Sequence, residues 1–214
     1  MLRFSRDLAT THVPVILTSL LLLAIGYLLG AIPSGYLAGR WLKGIDLRDC
    51  GSGSTGATNV LRNVGKGPAL VVFLIDVGKG ALAVLLAKSV GLNDWLQVLT
   101  GLAALAGHIW PVWLGWKGGK AVATGLGIFL GLAWPVGLAC FGLFMAVISI
   151  FRIVSLSSVV AAIGLPLLML LSGGSSAYVV VSLVASLMVL WRHRSNIERL
   201  LAGTEPKIGA KAKG

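Results

Sequence analysis

Apolar runs of roughly twenty residues, the length a helix needs to cross a hydrocarbon layer, recur at 14–32, 69–87, 95–111, 153–171 and 177–191. Short polar islands rich in glycine and basic residues separate them. A further apolar run, 121–151, holds 31 residues. As one helix it would be about 46 Å long, too much for a single crossing. Trp134-Pro135-Val136-Gly137 inside it supplies residues that end or bend helices. The run is therefore expected to divide into two short helices adjacent in sequence, giving seven transmembrane helices in all.

Composition agrees with this pattern. With 57% hydrophobic and 12% charged residues and a mean hydropathy of +0.92 over 214 residues, the chain is not an ordinary soluble domain. The expected class is an all-α integral membrane protein. Its net charge of +11 comes from 18 Lys and Arg against 7 Asp and Glu. Arg40, Lys43, Arg48, Arg62 and Lys66 follow the first run, Lys117 and Lys120 the third, and Arg152 precedes the run at 153–171. Arg192, Arg194, Arg199, Lys207, Lys211 and Lys213 close the chain. If all of these face the cytoplasm, an even number of spans must separate Lys120 from Arg192. Seven spans, with the N-terminus outside and the C-terminus cytoplasmic, satisfy that condition. Arg3 and Arg6 oppose it but are outnumbered. The first run is longer than a signal-peptide core and reads as an uncleaved span. Cys50, in a loop, and Cys140, in a span, are expected to be free thiols.

Candidate chemistry concentrates in three islands. The first, 51–67, reads GSGSTGATNVLRNVGKG. Gly51, Gly53 and Gly56 can turn successive N–H groups toward one point and form a concave anion nest. Residues 57–64 can form a short helix ended by Gly65, its positive end facing the nest. Ser52, Ser54, Thr55 and Thr58 add hydroxyl donors, and Arg62 adds a charged fork suited to phosphate. The glycines also match G-x-G-x-x-G, with Asp76 twenty residues on. Residues 45–50 are no buried strand, however, and Asp76 lies in a membrane run, so a dinucleotide fold is excluded. A P-loop is excluded because Ala57 stands where its lysine belongs.

In the second island Lys117 and Lys120 flank Gly118 and Gly119 at a helix start, pairing cations with exposed N–H donors as a second anion site. Trp110, Trp113 and Trp116 read better as an interfacial belt than as a ligand box. His108 reads better as a hydrogen-bonded structural histidine than as a catalytic one. The third island continues the last run into 192–207. On a continuous helix His193 and Asn196 share a face, with Arg192 and Arg199 nearby. Its plain alternative is an amphipathic tail lying on anionic lipid. His193 and Glu198 would point about 140° apart, so a His–carboxylate dyad is not supported. Asp76 and Lys79, one turn apart inside a span, are placed to pair, with structural and functional readings level. The glycines of the spans, such as those at 125–131, are read as packing residues. No His, Cys or acid cluster has metal-site spacing.

In this order and along the whole chain, the islands resemble the bacterial glycerol-3-phosphate acyltransferases that take the acyl group from acyl phosphate, the PlsY family. The family's usual Gly-Ser-Gly-Asn reads Gly51-Ser52-Gly53-Ser54 here, and its KGGKG ends in Ala121. The resemblance implies a single membrane-embedded catalytic domain over 1–214, with motif loops at about 43–68, 112–120 and 192–207. It implies transfer of a fatty acyl group to the sn-1 hydroxyl of glycerol 3-phosphate, giving lysophosphatidate and phosphate, as the first step of phospholipid synthesis. The place would be the cytoplasmic face of the bacterial inner membrane. Implied too are an upstream enzyme supplying acyl phosphate and no cofactor, metal or nucleic acid, with the oligomeric state left open and a monomer compatible. Carried over by motif, Ser52, Arg62, Lys120, His193 and Asn196 form the catalytic set. Phosphate binding falls to Gly51, Ser52, Gly53, Ser54, Thr55, Gly56, Thr58, Asn59, Arg62, Lys117, Gly118, Gly119 and Lys120. The hydroxyl proton is expected to pass to the departing phosphate, with His193 as the alternative base. A transporter of phosphorylated metabolites is the competing reading. It needs polar groups at the membrane midplane, and outside Asp76 and Lys79 the spans lack them.

Overall fold

In the computed structural model residues 4–209 are described, with side chains from Val15 onward. Arg3, Lys211 and Lys213 of the charge pattern lie outside the described residues, as does the side chain of Arg6. The first apolar run forms α1 (Phe4–Gly30) and breaks at Ala31-Ile32-Pro33, after which α2 (Ser34–Lys43) continues it. Gly44, at φ 67, ends α2 in the left-handed conformation that costs glycine nothing. The first island holds the short α3 (Ala57–Asn63), and α4 (Lys66–Ser89) follows. Asn93 caps α5 (Asp94–Ile109) by accepting the Leu96 N–H.

The long run at 121–151 does divide. Ala133, at φ −147 and ψ 81, separates α6 (Val122–Leu132) from α7 (Trp134–Phe151). Pro135 then sits in the first turn of α7, where its missing N–H leaves no bond unmade. The chain continues as α8 (Val154–Leu171), α9 (Ser176–Arg192) and α10 (Arg194–Leu201). All regular structure among the described residues is thus helical. Five segments are long and apolar enough to cross a membrane: Val15–Lys43, Lys66–Ser89, Asp94–Leu114, Trp134–Phe151 and Val154–Leu171. The pair Ser176–Arg192 and Arg194–Leu201, bent by 63°, makes a sixth if counted as one span. Length alone therefore supports five or six crossings against the seven expected, and α6, at 11 residues, is the short apolar helix.

Hydrogen bonds between segments show which ends lie together. Arg48 Nη1 donates to Leu114 O, Lys120 Nζ to Asn196 Oδ1, and Ile208 N to Arg152 O. The loops at 44–56, 110–121 and 152–153 and the tail beyond His193 accordingly share one end of the bundle. At the other end Lys88 Nζ donates to Gly131 O (2.7 Å) and Leu132 O (3.0 Å), and Tyr178 OH donates to Gln97 Oε1 (2.9 Å).

Helix α6 packs mainly on α4, and glycine permits the approach. A Cβ at Gly127 would strike Val77 O, and one at Gly80 would strike Thr124 O. The two backbones touch, as small residues allow in membrane helices. Gly127→Val should therefore remove most of the folded, monodisperse protein recovered in detergent, since overpacking costs about 1–3 kcal/mol or more. Gly142→Ala, where a Cβ meets nothing within 4 Å, should unfold at the wild-type temperature.

Candidate active site

The first island winds around one side chain. Asn59, 1% exposed, donates through Nδ2 to the carbonyls of Leu47, Cys50 and Ser54, while its Oδ1 accepts the Ser52 N–H and Asn63 Nδ2. Gly51 (φ 56) and Gly53 (φ 64) take the positive φ expected of them, whereas Gly56 (φ −77) is extended. The centre of the loop is thus filled by Asn59 rather than left open as a nest. Asn59, expected to contact phosphate, has both ends of its amide engaged in the loop and also lines the adjoining cavity. Gly51 lies against the Asn59 side chain, and Thr55 is buried with its carbonyl against Gly35. What the loop presents to the cavity is Ser52, Ser54, Gly56, Ala57, Thr58, Asn59 and, one turn along α3, Arg62.

Those groups line a polar cavity of about 130 Å³ together with Lys120, His193 and Asn196. All five residues of the expected catalytic set thus reach one cavity. They arrive from three separate segments at the shared end of the bundle. Lys120 Nζ donates to Asn196 Oδ1 at 2.5 Å. Burial pushes the Lys120 ammonium down to about 8; Glu205 opposes that, while Arg199, Arg192 and Arg62 add to it. The continuous helix expected through His193 and Asn196 turns sharply at His193, yet both side chains face the cavity. His193 Nδ1 lies 2.8 Å from Val189 O. A carbonyl only accepts, so Nδ1 carries a proton and Nε2 is the remaining polar atom of the ring.

The second island departs from expectation in two respects. Gly118 N donates to Ile109 O and Gly119 N to His108 O, so neither N–H is exposed for a ligand. Lys117 does not enter the cavity. It lines a separate polar vestibule with Asp46, Arg48, Gly53, Trp116 and Arg192. Arg48 pairs with Asp46 there (2.6 Å) and holds that carboxylate down at about 2. Ala121, where glycine is usual, sits at φ 62 and is buried; an L-residue there carries about 1–2 kcal/mol of strain. Cys50 and Cys140 are both free. Trp113 and Trp116 are exposed, and Trp110 packs on Trp191 with centroids 5.9 Å apart.

Two residues that sequence reasoning passed over line the cavity. Glu205, rather than the exposed Glu198, brings a carboxylate to it. The Glu205 carboxylate accepts from Asn196 Nδ2 (2.6 Å), Ser155 Oγ (2.8 Å) and Arg199 Nε (2.7 Å). Burial pushes Glu205 up, but these three donors outweigh it and hold the carboxyl below its ordinary value. Ser155 opens α8 and faces the same space. The available signals were the acid of Thr204-Glu205-Pro206 and the hydroxyl cluster Ser155, Ser157 and Ser158 within an apolar run. Deeper in the wall, Asp76 pairs with Lys79 at 2.8 Å and accepts from Ser34 Oγ at 2.7 Å, with His108 Nδ1 3.7 Å away.

Below the polar cavity lies an apolar slot between α6, α7, α8 and α9, with Phe73 of α4 at its edge. Phe73, Val122, Ala123, Phe144 and Ser158 belong to both spaces. Ser158 and Ser186 turn their hydroxyls onto Val154 O and Ala162 O, so even the slot's serines leave no unpaired donor in it. Cationic groups at the end of a bundle thus open directly into a space that suits a hydrocarbon chain.

Known proteins share this chain's sequence and fold. A family model described as glycerol-3-phosphate acyltransferase matches residues 20–203. A glycerol-3-phosphate acyltransferase of Synechococcus sp. (strain CC9605) is 99% identical over 197 residues, covering 92% of this chain and 97% of the relative. That of Parasynechococcus marenigrum (strain WH8102) is 91% identical over 212 residues, 99% of this chain and 100% of the relative. Among solved structures, the glycerol 3-phosphate form of PlsY (YgiH), an integral membrane glycerol 3-phosphate acyltransferase, superposes with a TM-score of 0.86 at 40% identity, covering 90% of this chain and 96% of that one. Its lysophosphatidic acid form gives 0.83 at 39%, with the same coverage. With the fold and the sequence match along most of its length in agreement, the chain belongs to the glycerol-3-phosphate acyltransferase family, that of the integral membrane enzyme PlsY.

Proposed function

We propose that this chain moves a fatty acyl group from acyl phosphate to the sn-1 hydroxyl of glycerol 3-phosphate, giving lysophosphatidate and phosphate. One observation carries the reading: the cavity holding Arg62, Lys120, His193 and Asn196 shares a wall with an apolar slot. A substrate with a charged head and a long tail fits that junction. The acyl chain lies in the slot and its phosphate at Arg62. Glycerol 3-phosphate enters from water and brings the second phosphoryl group. Of the expected phosphate-binding residues, Ser52, Ser54, Thr58, Arg62 and Lys120 take that role; Gly51, Asn59, Gly118 and Gly119 shape the loops that carry them.

In the reaction the sn-1 oxygen bonds to the acyl carbon and the carbon–oxygen bond to phosphate breaks. The hydroxyl proton passes to the departing phosphate, which leaves as hydrogen phosphate. Arg62 neutralises the charge that grows on the leaving group, and Lys120, bonded to Asn196, holds the phosphate of glycerol 3-phosphate. His193 and Asn196 orient the glycerol moiety, so catalysis is chiefly positioning.

The gathered loops also support a topology. Arg40, Lys43, Arg48, Arg62, Lys66, Lys117, Lys120, Arg152, Arg192, Arg194, Arg199 and Lys207 all belong to the end that carries the cavity. That end faces the cytoplasm of the bacterial inner membrane under the positive-inside rule. Helix α6, reaching from Lys120 to the level of Lys88, then crosses as a short partner of α7, for seven spans with the N-terminus outside. The whole chain acts as one catalytic domain, supplied by an upstream enzyme that makes acyl phosphate.

The test is direct. Purified protein given palmitoyl phosphate and glycerol 3-phosphate should form lysophosphatidate, and palmitoyl-CoA should not replace the donor; no product with either donor would end the proposal. Lys120→Ala should lower kcat/KM for glycerol 3-phosphate by about a hundredfold or more. A lysine with its pKa lowered to about 8 is charged below that pH and neutral above it. The wild-type KM for glycerol 3-phosphate should therefore climb as pH rises through about 8, and in Lys120→Arg it should stay flat to a higher pH. His193→Ala should raise that KM while kcat at saturation stays within about threefold, because the proton leaves with phosphate; a loss of kcat by two orders or more would assign the base role to His193.

A further inference from the structure

Lys120 hangs from a strip of backbone, Gly118-Gly119, that is held on both sides. On one side its N–H groups donate to the last carbonyls of α5, Gly118 N to Ile109 O at 3.1 Å and Gly119 N to His108 O at 3.0 Å. These carbonyls have no partner within their own helix, so the strip caps α5. On the other side both carbonyls of the strip accept from one side chain. Arg192 Nε lies 3.1 Å from Gly119 O, and Arg192 Nη2 lies 3.2 Å from Gly118 O. A Cβ at position 119 would run into the His108 ring, so the strip has no room to shift toward α5.

The Arg192 guanidinium reaches this strip from the last turn of α9, directly before His193. It is half-buried, and among the described residues no carboxylate pairs with it. It lines the polar vestibule rather than the reaction cavity. A desolvated guanidinium spent on two carbonyls serves geometry. The planar fork suits two neighbouring acceptors, and a lysine ammonium cannot reproduce both bonds. With Lys120 Nζ bonded to Asn196, the strip and the turn between α9 and α10 are registered at both ends.

We propose that Arg192 is a positioning residue for the phosphate site: by gripping the two carbonyls before Lys120 it sets where that ammonium stands, without touching substrate. The proposal rests on the acyl-transfer reading above. Charge gives it a second signature. The charged groups acting on Lys120 are Glu205, which favours the ammonium, and Arg199, Arg192 and Arg62, which oppose it, with His193 beside them. Removing the Arg192 charge should ease Lys120 back toward its ordinary range.

The experiment uses the full chain in detergent micelles, with palmitoyl phosphate saturating, glycerol 3-phosphate varied and pH scanned from about 6.5 to 9.5, a range that brackets the lowered Lys120 value. Arg192→Lys and Arg192→Gln should both raise KM by about tenfold or more with kcat within about threefold, as a misplaced binding group does. Only Arg192→Gln should move the alkaline midpoint of 1/KM upward, by several tenths of a pH unit to about one. Should that variant fail to fold, Gly119→Ala presses on the same strip from the His108 side and should give the same rise in KM. Unchanged KM in the folded variants, or rates falling only in step with folded protein at constant KM, overturns the proposal. Both outcomes are read against wild-type lysophosphatidate formation: wild-type activity with unaltered variants removes the clamp alone, whereas an inactive wild type removes the acyl-transfer reading.

Discussion

Direct backbone contact between α4 and α6 is the constraint from which the rest of the arrangement follows. Gly80 faces Thr124 O and Gly127 faces Val77 O with no space for a methyl group, so α6 has one register along α4. In that register α6 starts partway along α4 rather than at its end, since Gly127, the sixth residue of α6, already lies against Val77 and Ala81. The loop before α6 is thereby drawn down into the bundle, and Lys120 stands recessed behind the outer turns of α4 and α3. A lysine at the outer rim would lie in bulk water, where its charge is screened. Recessed, it lies where polar and apolar spaces meet, and burial lowers its proton affinity toward neutral pH.

Placing charge that deep requires partners, and each comes from a different element. Lys120 bonds to Asn196, Asn196 to Glu205, and Glu205 to Ser155 and Arg199. The chain of bonds joins the α6 entry, α10, the tail and α8. Beneath it Asp76 and Lys79 satisfy each other, Ser34 Oγ and Ile32 O. Two buried networks thus tie the helices together where the apolar contacts of the bundle end. A buried carboxylate with three donors is well compensated; with one donor removed it would not be. The same bonds that fix the cavity's shape therefore also make a lysine tolerable at the edge of the hydrocarbon.

Much of this was legible in the sequence because membranes impose simple rules. Backbone groups must be satisfied within each span, so long apolar runs announced the helices, and Pro135 with Gly137 announced the division of 121–151 near Ala133. Side chains that combine charge with glycine announced Ser52, Arg62 and Lys120. What stayed hidden depends on tertiary return. Glu205 lies nine residues beyond Asn196 and reaches it only because the tail folds back, with Ile208 N bonded to Arg152 O. Ser155 stands among hydroxyls that close onto their own helix, Ser157 and Ser158, and nothing in the sequence sets it apart from them. Asn59 carried the composition of a ligand but serves as the hub of its loop. Lys117 and Lys120 looked equivalent, and only the path of the strip between them sends one outward and one inward. The shortness of α6 was foreseen as a division of the run, but its depth was not, since depth is set by which glycine meets which carbonyl.

The junction of slot and cavity also explains why the site sits at this level and not higher. A donor dissolved in lipid gains little from moving its tail between two apolar surroundings, since lipid is as apolar as the slot. Binding energy must come from its phosphate. On the proposed reading the cavity's cations therefore stand where a tail still in hydrocarbon places its headgroup, beside Val122, Ala123, Phe144 and Ser158, which line slot and cavity alike. The acceptor has the opposite problem, being wholly soluble, and needs an open path from water to the same ring. Loops that sit on the bundle end without covering the cavity supply it, and the two substrates meet because each approaches from the solvent it prefers.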